Sequence, residues 1–293
     1  MPVSDRTPID VARNPADLRS WTHAIRTKGQ TIALVPTMGA LHDGHMSLIA
    51  EAHRHADVVI ASVFVNPTQF AAHEDLDTYP RAEAKDLEML ENAGCALAYC
   101  PSVTDMYPIG DKTRVTVEDI SFILEGEFRP HFFIGVATIV SRLFIHVMPD
   151  VAVFGEKDYQ QLLIIRRMAK DLGLPVNVVG ATTIREPDGL AMSSRNAYLS
   201  NTERRNAAGF SQALRHAVHQ LETGQSISDA IATAYDAIGQ AGLGKIDYVA
   251  VRDAEDLSGL GDGLLPSGRK ARILAAAWMG KTRLIDNMPV MRK

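Results

Sequence analysis

Cysteine is nearly missing from this chain of 293 residues: Cys95 and Cys100 are the only two, and their separation fits neither a common zinc pattern nor a thioredoxin pattern. A disulfide framework is thereby excluded, and both thiols read as small buried hydrophobes of a reducing compartment. Long apolar runs are lacking too. The most apolar stretch, residues 132–154, is interrupted by Arg142, His146 and Asp150, so no membrane span is expected. The opening residues, Met1-Pro2-Val3-Ser4-Asp5-Arg6, have no apolar core of a secretion signal, which points to a cytoplasmic protein. No block of like charge occurs. With 30 Lys and Arg against 35 Asp and Glu, the net charge of -5 gives no electrostatic footprint for nucleic acid. The fingerprint GxGxxG is absent, which disfavours a dinucleotide fold of the dehydrogenase type. His23, His53, His55, His73, His146, His216 and His219 stand without obvious ligand partners, so no protein-ligated metal site is expected. Internal repeats and low-complexity segments are absent as well.

What remains is an ordinary globular composition, 46% hydrophobic and 22% charged, organised by alternation. Apolar runs at residues 31–35, 58–65, 96–99, 151–154 and 176–179 read as strands, and residues 46–52, 81–92, 135–147 and 159–172 between them as helices. Strand, helix, strand in series predicts an α/β fold: a Rossmann-like parallel sheet with helices on both faces. Beyond Asp188-Gly189 the pattern changes to helices over 202–222 and 226–240, then to β-rich pieces around 247–251 and 272–277. Two domains follow, residues 1–185 as the Rossmann-like part and 186–293 as a smaller C-terminal α+β lid domain.

The most informative segment is Pro36-Thr37-Met38-Gly39-Ala40-Leu41-His42-Asp43-Gly44-His45, directly after the first strong strand. A strand, a glycine-bearing loop and a helix start form an anion site, because the first N–H groups of a helix are unpaired and carry partial positive charge. His42 and His45, three apart, add side-chain donors on one face, and Gly44 permits close backbone approach. Two histidines at this spacing are otherwise a surface feature or part of a metal site. The βαβ context favours phosphate, since ligands of open α/β sheets bind beyond the carboxyl ends of the strands.

Three other loops carry chemistry. At the end of the second strand, Asn66 and Gln69 of Val65-Asn66-Pro67-Thr68-Gln69-Phe70 offer amide groups to a small polar molecule, or form a plain Asn-Pro turn. Phe154-Gly155-Glu156-Lys157-Asp158-Tyr159-Gln160-Gln161 repeats the strand-to-helix topology and places a lysine where an anion would sit; surface ion pairs and an Asp N-cap are the simpler explanation. Ala191-Met192-Ser193-Ser194-Arg195-Asn196 puts two hydroxyls and a guanidinium in consecutive positions, all good phosphate partners. A helix cap explains one of those serines and leaves the rest.

The histidine motif together with the Met-Ser-Ser-Arg loop resembles the HxGH nucleotidylyltransferase superfamily. Five segments in order, 36–45, 64–70, Asp75-Leu76 with Tyr79-Pro80-Arg81, 155–161 and 188–196, narrow the resemblance to the pantothenate synthetase (pantoate–β-alanine ligase) family over nearly the whole chain. The resemblance implies an acid–amine ligase that joins ATP and (R)-pantoate to pantoyl adenylate and diphosphate, then uses β-alanine to release pantothenate and AMP. It implies catalytic roles for His45, the family's proton donor, and for His42, Lys157, Ser193, Ser194 and Arg195. ATP would be met by Met38, Gly39, Ala40, Leu41, His42, Asp43, Gly44, His45, Gly155, Glu156, Lys157, Asp158, Ile184, Met192, Ser193, Ser194 and Arg195. Within that set Gly155 and Asp158 face the ribose, and backbone groups of Ile184 and Met192 the adenine. Gln69 and Gln161 would hold pantoate, Gln69 lying also beside β-alanine. Mg²⁺ would be bound mainly through nucleotide phosphates, and a cytoplasmic homodimer is implied. One segment departs from the family pattern Arg-Pro-Gly-His-Phe-x-Gly: Arg129-Pro130-His131-Phe132-Phe133-Ile134-Gly135 has His for Gly and Phe for His, and His131 is left out of the site. The competing enzyme reading is a nucleotidylyltransferase that leaves the nucleotide on its product. A nucleotide-binding regulatory protein without turnover is a third.

Overall fold

Runs of Ile, Val, Leu and Ala too apolar for any solvent-facing surface form a sheet buried on both sides. The computed structural model describes residues 9–70, 76, 79 and 82–293. In chain order the elements are β1 (Asp10–Ala12), α1 (Pro15–Thr27), β2 (Ile32–Thr37), α2 (Asp43–Ala52), β3 (Val58–Val63), α3 (Glu83–Asn92), β4 (Leu97–Tyr99), α4 (Val103–Met106), α5 (Glu125–Phe128), α6 (Phe132–Val147), β5 (Val151–Gly155), α7 (Tyr159–Asp171), β6 (Asn177–Ala181), α8 (Asn201–Glu222), α9 (Ile227–Gln240), β7 (Lys245–Asp253), β8 (Lys270–Met279) and β9 (Thr282–Met291).

Within the described residues the chain separates into two compact units. The first comprises the chain up to Ser121, Arg129–Gly155 and Ile164–Ala181; the second comprises Phe122–Phe128, Glu156–Leu163 and Thr182–Lys293. The main change of unit thus falls at 181/182, against 185/186 read from sequence. The two short segments that join the second unit carry no compositional mark, because what assigns them is long-range contact.

The first unit holds a six-stranded sheet in the order β1-β4-β3-β2-β5-β6, every pairing parallel. The period-2 alternation of a strand sorts its side chains onto two faces. On one face Ala33, Val35, Val59, Ala61, Ala98, Val151 and Val153 pack with Ile49 and Ala52 of α2 and Leu90 of α3. On the other, Phe154 meets Phe144 of α6 with ring centroids 6.3 Å apart, and Tyr99 meets His146 of the same helix. Each fully buried Val, Leu or Ile contributes about 1.5–3 kcal/mol, so the two faces together dominate the stability of this unit. Cys95 and Cys100 bracket β4, both buried. Burial pushes the Cys95 thiol up to about 12 and the Cys100 thiol up to about 11.

β2 is the branch point: the chain runs outward to β3 and β4 on one side and later to β5 and β6 on the other. Such a reversal opens a crevice at the carboxyl ends of the two central strands. Continuing the register Leu34↔Ala152 by three residues brings Thr37 level with Gly155 there.

In the second unit α8 and α9 lie on the antiparallel sheet β7-β8-β9. Phe210, Leu214, Ala217 and Leu221 of α8 share a core with Ile227, Ala234 and Ile238 of α9 and with Ile273, Ala275, Ala277, Met288 and Val290 of the strands. Arg283 bridges two carboxylates in this unit, bonding both oxygens of Glu125 at 2.6 and 2.8 Å and Asp247 at 2.7 Å. Among the described residues no helix is long and apolar enough to cross a membrane.

Candidate active site

The loop after β2 is shaped by a carboxylate from elsewhere in the sequence. Gly39 and Ala40 adopt φ of +79° and +50°, turning the chain sharply, and Thr37 Oγ1 accepts from the Gly39 N–H at 3.2 Å. The N–H groups of Ala40 and Leu41 then donate to Asp86 Oδ2 and Oδ1 at 3.0 and 2.9 Å. Asp86 is 2% exposed and belongs to α3. A Cβ on Gly39 would stand 2.9 Å from Asp86 Oδ2, and in a left-handed conformation besides, so glycine is required twice over. Asp86 is the residue of this loop that sequence reasoning missed. Its signal was its spacing: Asp86 and Leu90 are the two buried residues of α3, four apart on one face, where a carboxylate needs a partner.

The histidines close the loop onto α2. His42 is the N-cap: its Nδ1 accepts from the Gly44 N–H at 3.1 Å, while the His42 N–H donates to His45 Nδ1 at 3.3 Å, a reciprocal capping box. The rings lie 4.1 Å apart. With both Nδ1 atoms accepting, the proton of each neutral imidazole is assigned to Nε2. The expectation of unpaired backbone donors at this helix start is therefore narrowed, since Gly44, His45 and Met46 donate within the protein. The N–H groups of Ala40, Leu41, His42, Gly44 and Met46 are all occupied within the protein. Met38 is partly buried, and Asp43, the first residue of α2, is exposed.

The loop after β3 is a 3-10 turn, Pro67–Gln69, capped by Asn66. Asn66 is 1% exposed and points inward: its Nδ2 donates to Gln69 Oε1 at 2.9 Å and to the Gly135 carbonyl at 3.2 Å. The Tyr107 hydroxyl donates to Asn66 Oδ1 at 2.8 Å. Asn66 thus orients Gln69 instead of facing a ligand. With its oxygen engaged, Gln69 has its amide NH₂ to present. α6 comes so close at Gly135 that a Cβ there would lie 2.4 Å from the Thr68 carbonyl oxygen. In the departing segment, His131 is exposed and caps α6 without a side-chain bond. Phe132, standing where the family pattern has His, lies under the Arg129 guanidinium at 3.8 Å, and Arg129 donates to the Gln69 carbonyl at 3.0 Å. Tyr79 is buried with its ring 5.8 Å from that of Phe70. Asp75, Pro80 and Arg81 of the sequence motif lie outside the described residues.

In the second unit, Glu156–Asp158 form a single 3-10 turn leading into α7. Glu156 pairs with buried Arg272 at 2.9 Å, so its carboxylate is directed into the fold. Lys157 Nζ lies 3.7 Å from Asp158 Oδ1, a loose contact that leaves the ammonium able to serve an anion. Gly155 ends β5. Gln160 is buried and structural, accepting from the Glu125 N–H and donating to the Ile123 carbonyl, whereas Gln161 is partly buried.

Residues 184–192 form a small antiparallel hairpin, in which the Met192 N–H donates to the Ile184 carbonyl at 3.0 Å and Glu186 to Leu190 at 2.8 Å. The Met192 N–H is thus engaged within the hairpin. The Ile184 side chain is 37% exposed. Ser193 is the N-cap of the 3-10 helix Ser194–Tyr198, its Oγ accepting from the Arg195 N–H at 3.3 Å. The simpler reading holds for that oxygen, yet the hydroxyl hydrogen remains to donate. Ser194 and Arg195 follow at the start of the same helix.

The family model described as pantoate-beta-alanine ligase matches residues 10–289. The chain is 54% identical to the pantothenate synthetase of Caulobacter vibrioides over 281 residues, 96% of this chain and 98% of that one. It is 50% identical to that of Hyphomonas neptunium over 293 residues, the full length of both. Among solved structures it is similar to pantothenate synthetase from Thermus thermophilus, with a TM-score of 0.90 at 43% identity over 97% of this chain and 100% of that one. It is also similar to pantoate-beta-alanine ligase from Francisella tularensis complexed with beta-gamma ATP and beta-alanine, with a TM-score of 0.80 at 35% identity over 96% and 97% of the two chains.

Proposed function

The chain belongs to the pantoate-beta-alanine ligase family, and from that premise we propose which of its groups carry each half of the reaction. The activity is the ATP-dependent condensation of pantoate with β-alanine to pantothenate, AMP and diphosphate through pantoyl adenylate. A carboxylate is a poor electrophile because its leaving group would be oxide; adenylation replaces that with AMP. In the first half, a pantoate oxygen attacks the α-phosphorus and the bond to the β-phosphate oxygen breaks. Negative charge gathers on the α-phosphoryl oxygens and the departing diphosphate, so oriented donors and cations lower this barrier.

His42 and His45 present rings held in place by the capping box, and the attack needs no proton removed, so His45 acts by hydrogen bonding. Lys157, Arg195 and the hydroxyls of Ser193 and Ser194 serve the phosphate chain. Gly155 and Asp158 are assigned to the ribose, Ile184 and Met192 to the adenine. Met38, Gly39, Ala40, Leu41, Asp43, Gly44 and Glu156 shape these nucleotide segments. Gln69 and Gln161 are assigned to pantoate, Gln69 through its NH₂. Mg²⁺ enters with the nucleotide as part of the substrate, held by phosphate oxygens and water; among the described residues no cluster of three or more His, Cys, Asp or Glu could hold a metal ion. In the second half the β-alanine amine attacks the acyl carbon and AMP leaves.

The observation that carries the assignment is the reciprocal bonding of the two histidine Nδ1 atoms to the backbone, which holds both rings side by side at the start of α2. The test is pantoate-dependent exchange of labelled diphosphate into ATP without β-alanine, followed by β-alanine addition and measurement of AMP and pantothenate. Exchange followed by amine-dependent AMP release is expected. An adenylated product that persists after β-alanine is added would favour the nucleotidylyltransferase reading. A cytoplasmic homodimer and a lid role for residues 186–293 are further proposals from the family reading; sedimentation and nucleotide-dependent protection from proteolysis test the dimer and the lid.

A further inference from the structure

Two adjacent residues of β9, Asp286 and Asn287, are charged or polar and yet 3% and 4% exposed, between the buried apolar Leu284 and Met288 of the same strand. Neighbouring residues of a strand point to opposite faces, and each of these reaches a different segment of the second unit. The Asn287 amide nitrogen donates to two successive backbone carbonyls, Glu156 at 2.9 Å and Lys157 at 2.8 Å. Two carbonyl acceptors on one group identify it as the NH₂ end. Its Oδ1 is left buried and without a hydrogen-bond partner among the described residues. Asp286 forms a bidentate pair with Arg185 at 2.7 and 2.9 Å. That guanidinium also donates to the Gly189 carbonyl at 3.1 Å and the Asn287 carbonyl at 3.3 Å, spanning the 184–192 hairpin from one arm to its turn.

Stability alone is a poor account of this arrangement. A buried acceptor without a partner is destabilising, and well-packed apolar residues commonly match or exceed a buried ion pair in stability. What the dyad provides is geometry: one end fixes the backbone of the turn that carries Lys157, the other fixes the hairpin assigned to adenine.

We propose that Asp286 and Asn287 are positioning residues for adenylate formation, through which β9 sets the spacing between the lysine turn and the 184–192 hairpin. This rests on the assignment of Lys157 and the hairpin to ATP. The dyad touches no substrate itself; it acts through Lys157 and Arg185.

The test is a double-mutant cycle in the full-length protein, read as pantoate-dependent diphosphate exchange and as equilibrium ATP affinity. N287A is expected to slow exchange about 10- to 100-fold, the scale of a reacting group misplaced by about 1 Å, with an unchanged circular dichroism spectrum. In a K157A background the same change should add less than about threefold, because the group it positions is gone. N287D, equal in size but presenting a carboxylate to two carbonyls, should be at least as slow as N287A. R185K should raise KM for ATP more than it lowers kcat. If N287A folds poorly, N287S keeps one donor and takes its place in the cycle. Multiplicative losses in the double variant, or a wild-type rate for N287A or N287D, would overturn the proposal. A wild-type exchange rate for K157A would instead overturn the assignment of Lys157 on which it rests.

Discussion

At the scale of single residues, the histidine pair was legible and its support was not. HxGH after a strand is read as a candidate anion site, because residue type and spacing both bear on it. The carboxylate of Asp86 lies 46 positions beyond Ala40, and in sequence it sits in a polar helix that reads as solvated. Only its phase with Leu90 betrays it. His45→Ala should leave a folded protein, cost about 0.5–2 kcal/mol for the lost capping contact of α2 and lower adenylate formation about 10²-fold or more; diphosphate exchange checks this, and near-normal turnover would remove His45 from the mechanism. Asp86→Ala should act differently. It orphans the N–H groups of Ala40 and Leu41, each worth about 1–3 kcal/mol when left buried, so urea unfolding should show a loss of that order while exchange also falls.

At the scale of elements, the central strands and long helices could be read because burial there is uniform. The alternation of apolar and small residues in β2, β3 and β5 leaves no other assignment. β9 was not anticipated: Asp286, Asn287 and Pro289 interrupt its apolar pattern and imitate a turn, since their partners lie in segments distant in sequence. α1 escaped for a related reason, burying only Leu18 and Thr22. The contact of α6 with the 66–69 turn was equally hidden, resting on one absent side chain. Gly135→Ala should push the Thr68 carbonyl and strain the Asn66 bond to the Gly135 carbonyl. Overpacking of this kind costs about 1–3 kcal/mol, and because Gln69 rides on the same turn, KM for pantoate should rise more than KM for ATP. Steady-state kinetics with each substrate varied would separate the two.

For the whole molecule, the buried charges of the second unit give its stability a dependence on acid. Burial alone pushes the Asp247 carboxyl upward, but hydrogen bonds from Arg283, Lys245 and Trp278 outweigh it and hold the group below its ordinary value of 3.8. A carboxyl lowered on folding contributes stability that is fully present above 3.8 and is lost as pH falls through the lower folded value. Asp247→Asn should therefore cost on the order of 3 kcal/mol at neutral pH, as a broken buried pair does, and flatten the decline of stability as pH falls below 3.8. Chemical unfolding across that range measures both.

The thiols that bracket β4 add a consequence of another kind. At neutral pH neither Cys95 nor Cys100 is appreciably a thiolate, and β4 is held between β1 and β3. A maleimide in solution can therefore couple to them only during moments when those strands part. The protein carries its own stopwatch: the labelling rate of each sulfur, resolved by mass spectrometry, times how often that side of the parallel sheet opens, and a bound nucleotide that steadies the β2 loop should slow it.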